Sequence, residues 1–235
     1  MDRGSRTDLL GHLAEAVAKA AGGHPTRVAV DGPPAAGKTT LADELAAVLR
    51  GQGREVIRAT IDDFLVPRAR RYRRGEYSAE GCYFDAHDHN ALTRALLDPL
   101  GPGGDRRFRP TIDDHPPATT ADHDAVLLFD GVFLLRPELV DRWELRIFVS
   151  TDFDKTVERA VLREQADVER RWRERYIPAQ RLYYATARPL DHADIVVHND
   201  EPGQPTWETR YRNGSTSRRH RSGSSVSPAD SPHNQ

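Results

Sequence analysis

Apolar positions along this chain follow two rhythms that take turns. Between residues 7 and 21, Leu9, Leu10, Leu13, Ala16, Val17 and Ala20 recur every three or four positions, as on one face of a helix, and Thr7 stands where it can cap the first turn. After a GGHP break comes RVAVD, short and β-branched, then a glycine-bounded loop, then LADELAAVLR with helical spacing again. The alternation continues, with EVIRATI, AVLLFD, ELRIFVS and ADIVV reading as strands and ALTRALLDPL and KTVERAVLRE as helices. Strands that are apolar almost throughout are buried on both faces, and parallel neighbours need the crossover connections that helices supply. The expected class is α/β: a leading amphipathic helix in residues 1–25, then one domain over 26–200 with a parallel sheet covered by helices on both faces. From residue 201 to 235 the chain is dense in Ser, Pro, Gly, Asn and Arg without apolar period, which predicts a disordered tail whose RRHR is solvated.

Composition narrows this picture only a little. With 235 residues and 37% hydrophobic content the chain can bury one sizeable core. Its 34 basic and 36 acidic residues nearly cancel, so no global field favours nucleic acid or a membrane surface. The lone Cys82 has no partner for an internal disulfide, no apolar run approaches the roughly 20 residues of a membrane span, and the first residues lack a signal-peptide core. The cytoplasm is the expected compartment.

The loop after RVAVD carries the clearest chemistry. Gly32 to Thr39 reads GPPAAGKT and fits G-x-x-x-x-G-K-[ST], with a strand before it and a helix after it. Inward-turned backbone N–H groups and the positive end of the helix suit a β,γ-phosphate pair; Lys38 adds a mobile charge and Thr39 a hydroxyl for Mg²⁺. Gly32, Pro33, Ala35, Ala36, Gly37, Lys38, Thr39 and Thr40 are the candidate nucleotide-binding residues. At the end of AVLLFD stands Asp130, placed to orient Mg²⁺ or its water shell, or else to begin a turn with Gly131.

Two further carboxylates, Asp62 and Asp63, close the second strand in IDDF. Ligands of open α/β sheets sit beyond the carboxyl ends of the strands, so IDDF and the phosphate loop should be neighbours. A hydroxyl acceptor needs a carboxylate to orient it and take its proton, and Asp62 is the candidate, with a share in the metal; Asp63 is expected to cap a short helix at FLVP.

GPPAAGKTT, IDDF, an FDAHD element after a basic linker, LFDGV, an arginine-rich stretch and ADIVV together resemble the uridine kinase family of P-loop nucleoside kinases, over about Arg27 to Asn199. The resemblance implies a P-loop NTPase fold with an arginine-rich lid at about 164–176, and phosphoryl transfer from ATP or GTP, with Mg²⁺, to the 5'-hydroxyl of uridine or cytidine. It implies Asp62 as general base, Phe84 and Asp85 beside the nucleoside, and His115 and Gln180 as further substrate contacts; as an alternative, Asp85 caps the following helix. Leu65 and Ile112 stand where the family commonly carries aromatics, and Asp130 where it often carries glutamate.

Eight arginines lie from Arg159 to Arg188, and guanidinium groups on a closing segment stabilise the charge of a transferring phosphoryl group. Arg163, Arg170 and Arg171 are the collective candidates, against an exposed, salt-bridged helix in which Glu158, Glu164, Glu169 and Glu174 are interleaved. RARRYRRGEY has no RNA-reading aromatic platform, and DAHDH no second ligand pair for zinc. The expected partner is a small-molecule substrate, a nucleoside, with neither membrane nor nucleic acid; a homo-oligomer is left open. The competing readings are a P-loop kinase of another hydroxyl acceptor (pantothenate, glycerate or a sugar phosphate) and a non-kinase NTPase. N-K-x-D and LSGGQ-like signatures are absent from the sequence.

Overall fold

The computed structural model of the chain describes residues 1–112, 117–163 and 168–210. Its sheet contains β1 (Asp2–Arg3), β2 (Thr26–Asp31) and β3 (Val56–Thr60), then β6 (Val126–Gly131), β7 (Leu145–Ser150), β8 (Ile195–His198) and β9 (Thr206–Thr209); β4 (Arg107–Phe108) and β5 (Thr119–Thr120) pair separately. The order is β1-β9-β8-β7-β2-β6-β3. Neighbours from β8 to β3 run parallel, with Val28 opposite both Leu128 and Leu145, while β9 and β1 join antiparallel at the edge. Every residue of β2 and β6 is buried, as expected for strands covered on both faces.

The helices are α1 (Arg6–Ala20), α2 (Lys38–Gly51), α3 (Arg68–Arg71), α4 (Ala79–Asp85), α5 (His89–Leu92), α6 (Phe153–Arg163), α7 (Val168–Arg171), α8 (Ile177–Ala187) and α9 (Pro189–His192). Strand alternation divides the core. Val28, Val30, Val126 and Leu128 pack with Leu9 and Leu13 of α1 and Leu41 and Leu45 of α2. Ala29, Leu127 and Phe129 pack on the other face with Tyr83 of α4 and Tyr183 of α8. A third small cluster, Val157, Ala160, Val168, Trp172 and Ile177, joins α6, α7 and α8 and touches Ala35 of the phosphate loop. No helix among the described residues is long and apolar enough to cross a membrane.

Several local expectations are corrected. Ser5, not Thr7, caps α1: its hydroxyl accepts from the Asp8 N–H at 3.2 Å while the Asp8 carboxylate accepts from the Ser5 N–H at 2.8 Å, a capping box that contributes about 1 kcal/mol. IDDF is a 3-10 turn capped by Thr60, so Asp63 lies inside the turn. ALTRALLDPL continues α5 as a π turn over Thr93–Leu97. The tail begins later than the composition indicates, because Thr206–Thr209 pairs with β8 and buries Trp207, one apolar residue being too few to show a period. Residues 211–235 lie outside the described residues.

Candidate active site

The carboxyl ends of β2, β3 and β6 converge on one cavity of about 500 Å³, walled by Lys38, Thr39, Asp62, Asp130 and Arg163 among others. The phosphate loop leaves β2 through Gly32 at φ 148°, where a side-chain carbon would strike the carbonyl oxygen of Val149, so only glycine fits. Gly37 begins α2 without a side-chain cap, and the first turn of α2 holds no acidic residue. The N–H groups at that end are therefore left to an anion. Asn199 donates to the Ala36 carbonyl at 2.7 Å, and Arg159 bridges the carbonyl of Ala35 (3.4 Å) to those of Asn199 (2.6 Å) and Asp200 (2.9 Å), bracing the loop from outside.

Inside the cavity, Lys38 Nζ donates to the Pro33 carbonyl at 2.7 Å. Burial lowers its pKa to about 8 against the opposing pull of Asp31, Asp130 and Asp62, so the ammonium is still mainly charged at neutral pH. Thr39 Oγ1 donates to Asp130 Oδ2 at 2.6 Å, and Arg58 Nη2 donates to Asp130 Oδ1 at 2.8 Å. Arg58 also binds Asp43 (2.9 Å) and the Leu128 carbonyl (2.6 Å), so the strand-end acid is neutralised from the neighbouring strand. Gly131 follows, and a side-chain carbon there would collide with Ile61. That close approach seats the IDDF turn on the end of β6 and brings Asp62 to the wall that holds Asp130. Asp62 opens to the cleft; burial raises its pKa and Asp130 and Asp63 raise it further, while Lys38 opposes them.

Mg²⁺ and a nucleoside triphosphate fit these residues. Hydroxyl and carboxylate oxygens of Thr39, Asp130 and Asp62 are the hard donors that Mg²⁺ takes, and a glycine cradle at an uncapped helix start with a lysine beside it suits phosphates. No group of three or more His, Cys, Asp or Glu among the described residues could cage a metal, in keeping with an ion held largely by phosphates and water.

Beneath the loop lies a buried network that the sequence pattern does not disclose. Asp31, the last residue of β2, is fully buried; it accepts from the Gly32 N–H at 2.7 Å, from Tyr183 Oη at 2.5 Å and from the Leu135 N–H at 3.2 Å. Burial nevertheless lifts its pKa to about 6. It ties the phosphate loop to β6 and α8.

Other expected site residues fall elsewhere. Phe84 is half exposed and packs edge-on against Tyr83, and Asp85 is ion-paired with Arg74 (2.6 Å) and Arg73 (3.2 Å); their helical neighbours Cys82 and Ala86, four apart, face the cavity instead. Asp85 ends α4, so it does not cap a following helix; Asp88 caps α5 through the Ala91 N–H at 2.8 Å. Gln180 is buried one turn beyond Tyr176, and it is Tyr176 that reaches the cavity. Arg170 is held by Glu174 at 3.0 Å and lies 4.4 Å over the Tyr77 ring, and Arg171 is half-buried on α7 away from the wall. Arg71 and Arg175 line the cavity together with Arg163. His115 lies outside the described residues, as do the lid positions 164–167.

A parallel sheet ordered β8-β7-β2-β6-β3, a phosphate loop after its central strand, and carboxylates at the end of β6 and in the turn after β3 define the P-loop kinase fold. Solved structures described as kinases share this fold. A protein described as a possible uridine kinase from Bacillus stearothermophilus is 25% identical, with a TM-score of 0.63 over 81% of this chain and 97% of that one. A protein described as a fructose transport system kinase from Silicibacter sp. TM1040 is 20% identical, with a TM-score of 0.62 over 76% of this chain and 95% of that one. D-glycerate 3-kinase from Cryptococcus neoformans is 13% identical, with a TM-score of 0.57 over 81% of this chain and 94% of that one, and shares the fold. No family model and no curated protein matches the chain.

Proposed function

We propose that the protein is a small-molecule kinase that moves the γ-phosphoryl group of ATP to a hydroxyl held beside Asp62. The observation that carries this reading is the sharing of one cavity by Lys38, Thr39 and Asp130 on one side and Asp62 on the other, with no other acid in the wall among the described residues. The acceptor oxygen attacks phosphorus and its proton passes to Asp62 as the bond to the ADP oxygen breaks. Lys38 and Arg163 offset the charge that gathers on the transferring group, and the uncapped start of α2 holds the remaining phosphates. Mg²⁺, when held by Thr39, Asp130 and the phosphates, supplies further charge neutralisation. The raised pKa of Asp62 makes it a better proton acceptor.

The likeness to a possible uridine kinase offers a nucleoside as one acceptor, phosphorylated at its 5'-hydroxyl. Against this, the side chains expected to hold the ribose, Phe84 and Asp85, sit off the cavity wall. The test is ADP release by the purified chain with MgATP and a panel of nucleosides, hydroxy acids and sugar phosphates, run beside Asp62→Asn. Release that needs an acceptor and is lost in the variant supports a kinase; equal release without any acceptor defeats it.

A further inference from the structure

At the end of the cavity away from the phosphate loop, two arginine side chains, Arg71 and Arg175, make no ion pair with a carboxylate among the described residues. Arg175 is buried to 2% exposure, yet its Nη1 finds only the carbonyls of Glu76 (2.8 Å) and Ser78 (3.2 Å), and its guanidinium lies 4.7 Å from the Tyr72 ring centre. The Arg71 guanidinium stands 5.2 Å from the same ring centre, its side chain makes no hydrogen bond or ion pair among the described residues, and its Nε is sealed from solvent without a partner. A charge removed from water is costly unless paired, typically by several kcal/mol, and carbonyl dipoles and an aromatic face repay part of that.

Among the described wall residues the carboxylates are Asp62, whose charge interacts with Arg71, and Asp130, which is already paired with Arg58. The Cys82 thiol between the two arginines is buried and pushed up to about 11, hence uncharged. His87, in the same wall, is driven by burial down to about 3 and is neutral as well. The cations form two sets: Arg163 acts on Lys38, whereas Arg71 and Arg175 both act on Cys82, and Arg71 also acts on Asp62. Triphosphate charge at the loop is met by Lys38 and Arg163. Arg71 and Arg175 remain for something else, and Asp62 lies where a hydroxyl would sit between the two sets.

Resting on the kinase reading above, we propose that the acceptor is an anionic alcohol, a small molecule whose carboxylate or phosphate monoester pairs with Arg71 and Arg175 while its hydroxyl lies at Asp62. A planar guanidinium pair matches either anion in fork geometry, and a neutral nucleoside would leave both charges buried without compensation. Leu65, in the wall where the resemblance leads one to expect an aromatic, suits a short acceptor without a base to stack.

The experiment compares matched pairs on the full chain with MgATP: glycerate, glycerol phosphate, glycerol and uridine. The expected result is a kcat/KM at least about tenfold higher for one of the anions than for either neutral compound, since a charge-assisted hydrogen bond contributes about 1.5–3 kcal/mol and each 1.4 kcal/mol is tenfold. Whether the carboxylate or the phosphate prevails identifies the group. Arg71→Met should raise KM for that anion about tenfold or more with a smaller change in kcat and none in KM for ATP, and Arg71→Lys should recover part of it. A neutral acceptor preferred by the wild type overturns the proposal and leaves the kinase reading standing. If no compound is phosphorylated and ATP is hydrolysed alone, the kinase reading fails; the proposal is then decided by thermal unfolding with a non-hydrolysable ATP analogue present. Glycerate or glycerol phosphate must raise the midpoint of the wild type and not of Arg71→Met, and no such difference sinks it.

Discussion

The two ends of the cavity are built on opposite principles. At the phosphate end the polar side chains have partners inside the protein, while the N–H groups at the start of α2 do not: Lys38 is on Pro33, Thr39 and Arg58 on Asp130, and Asp31 on Gly32, Leu135 and Tyr183. At the other end Arg71 and Arg175 lean on an aromatic ring and on carbonyls, and neither makes an ion pair with a carboxylate among the described residues. The first arrangement is preorganised for a ligand common to many enzymes, and its donors are fixed before ATP arrives. The second leaves guanidinium charge without an ion-paired carboxylate among the described residues, so an anionic occupant there would add to its stability.

The most damaging variant is Asp62→Asn, which keeps the shape of the turn and removes the proton acceptor. Acceptor-dependent ADP release should fall by about 10² to 10⁴ with KM for ATP nearly unchanged. A loss confined to nucleotide affinity would place Asp62 at the phosphate end and erase the distinction. Next comes Arg58→Met, which strands a buried carboxylate at Asp130 and should cost about 3 kcal/mol in urea unfolding. An unchanged midpoint would show that the phosphate end does not depend on its internal pairing.

Tyr183→Phe should cost about 1–3 kcal/mol at neutral pH by removing a donor from Asp31. The pH dependence has a definite sign. The pKa of Asp31 is raised on folding, from 3.8 to about 6, so its contribution is greatest below about pH 4 and is lost as pH rises through about 6. The Tyr183 hydrogen bond holds that pKa down, so in Tyr183→Phe the decline should extend to higher pH, read from thermal midpoints between pH 4 and 8. The smallest effect is expected from Asp63→Asn. Because Asp63 raises the pKa of Asp62, the acid limb of the kcat/KM profile should move to lower pH. A shift upward would show that Asp63 acts by some means other than its charge.

The phosphate end was legible because its chemistry is local. A loop of fixed length between a strand and a helix places Gly32 through Thr39 by backbone geometry alone, and strand ends place Asp62 and Asp130 near it once the sheet is parallel. The acceptor end was not legible. RARRYRRGEY and RRWRERY announce charge without saying which guanidinium turns inward, and the choice of Arg71 and Arg175 over Arg170 and Arg171 depends on α3, α7 and the π turn after α7 packing around Tyr72, Trp172 and Tyr176. Asp85 illustrates the same limit: its place in the FDAHD element is readable, but Arg73 and Arg74 capture it. Asp31 drew no notice because a carboxylate ending a strand usually meets solvent, and only the fold brings Tyr183 to it across 152 positions of chain.

Periodicity and one contiguous motif were thus enough to determine that this is a parallel α/β chain with a phosphate loop, because strand burial and loop conformation are settled by neighbours along the sequence. Which arginines face the substrate, which acid is buried and which residues stand aside were decided by tertiary packing. Those outcomes depend on desolvation and charge pairing between segments far apart in the chain, and no local pattern encodes them.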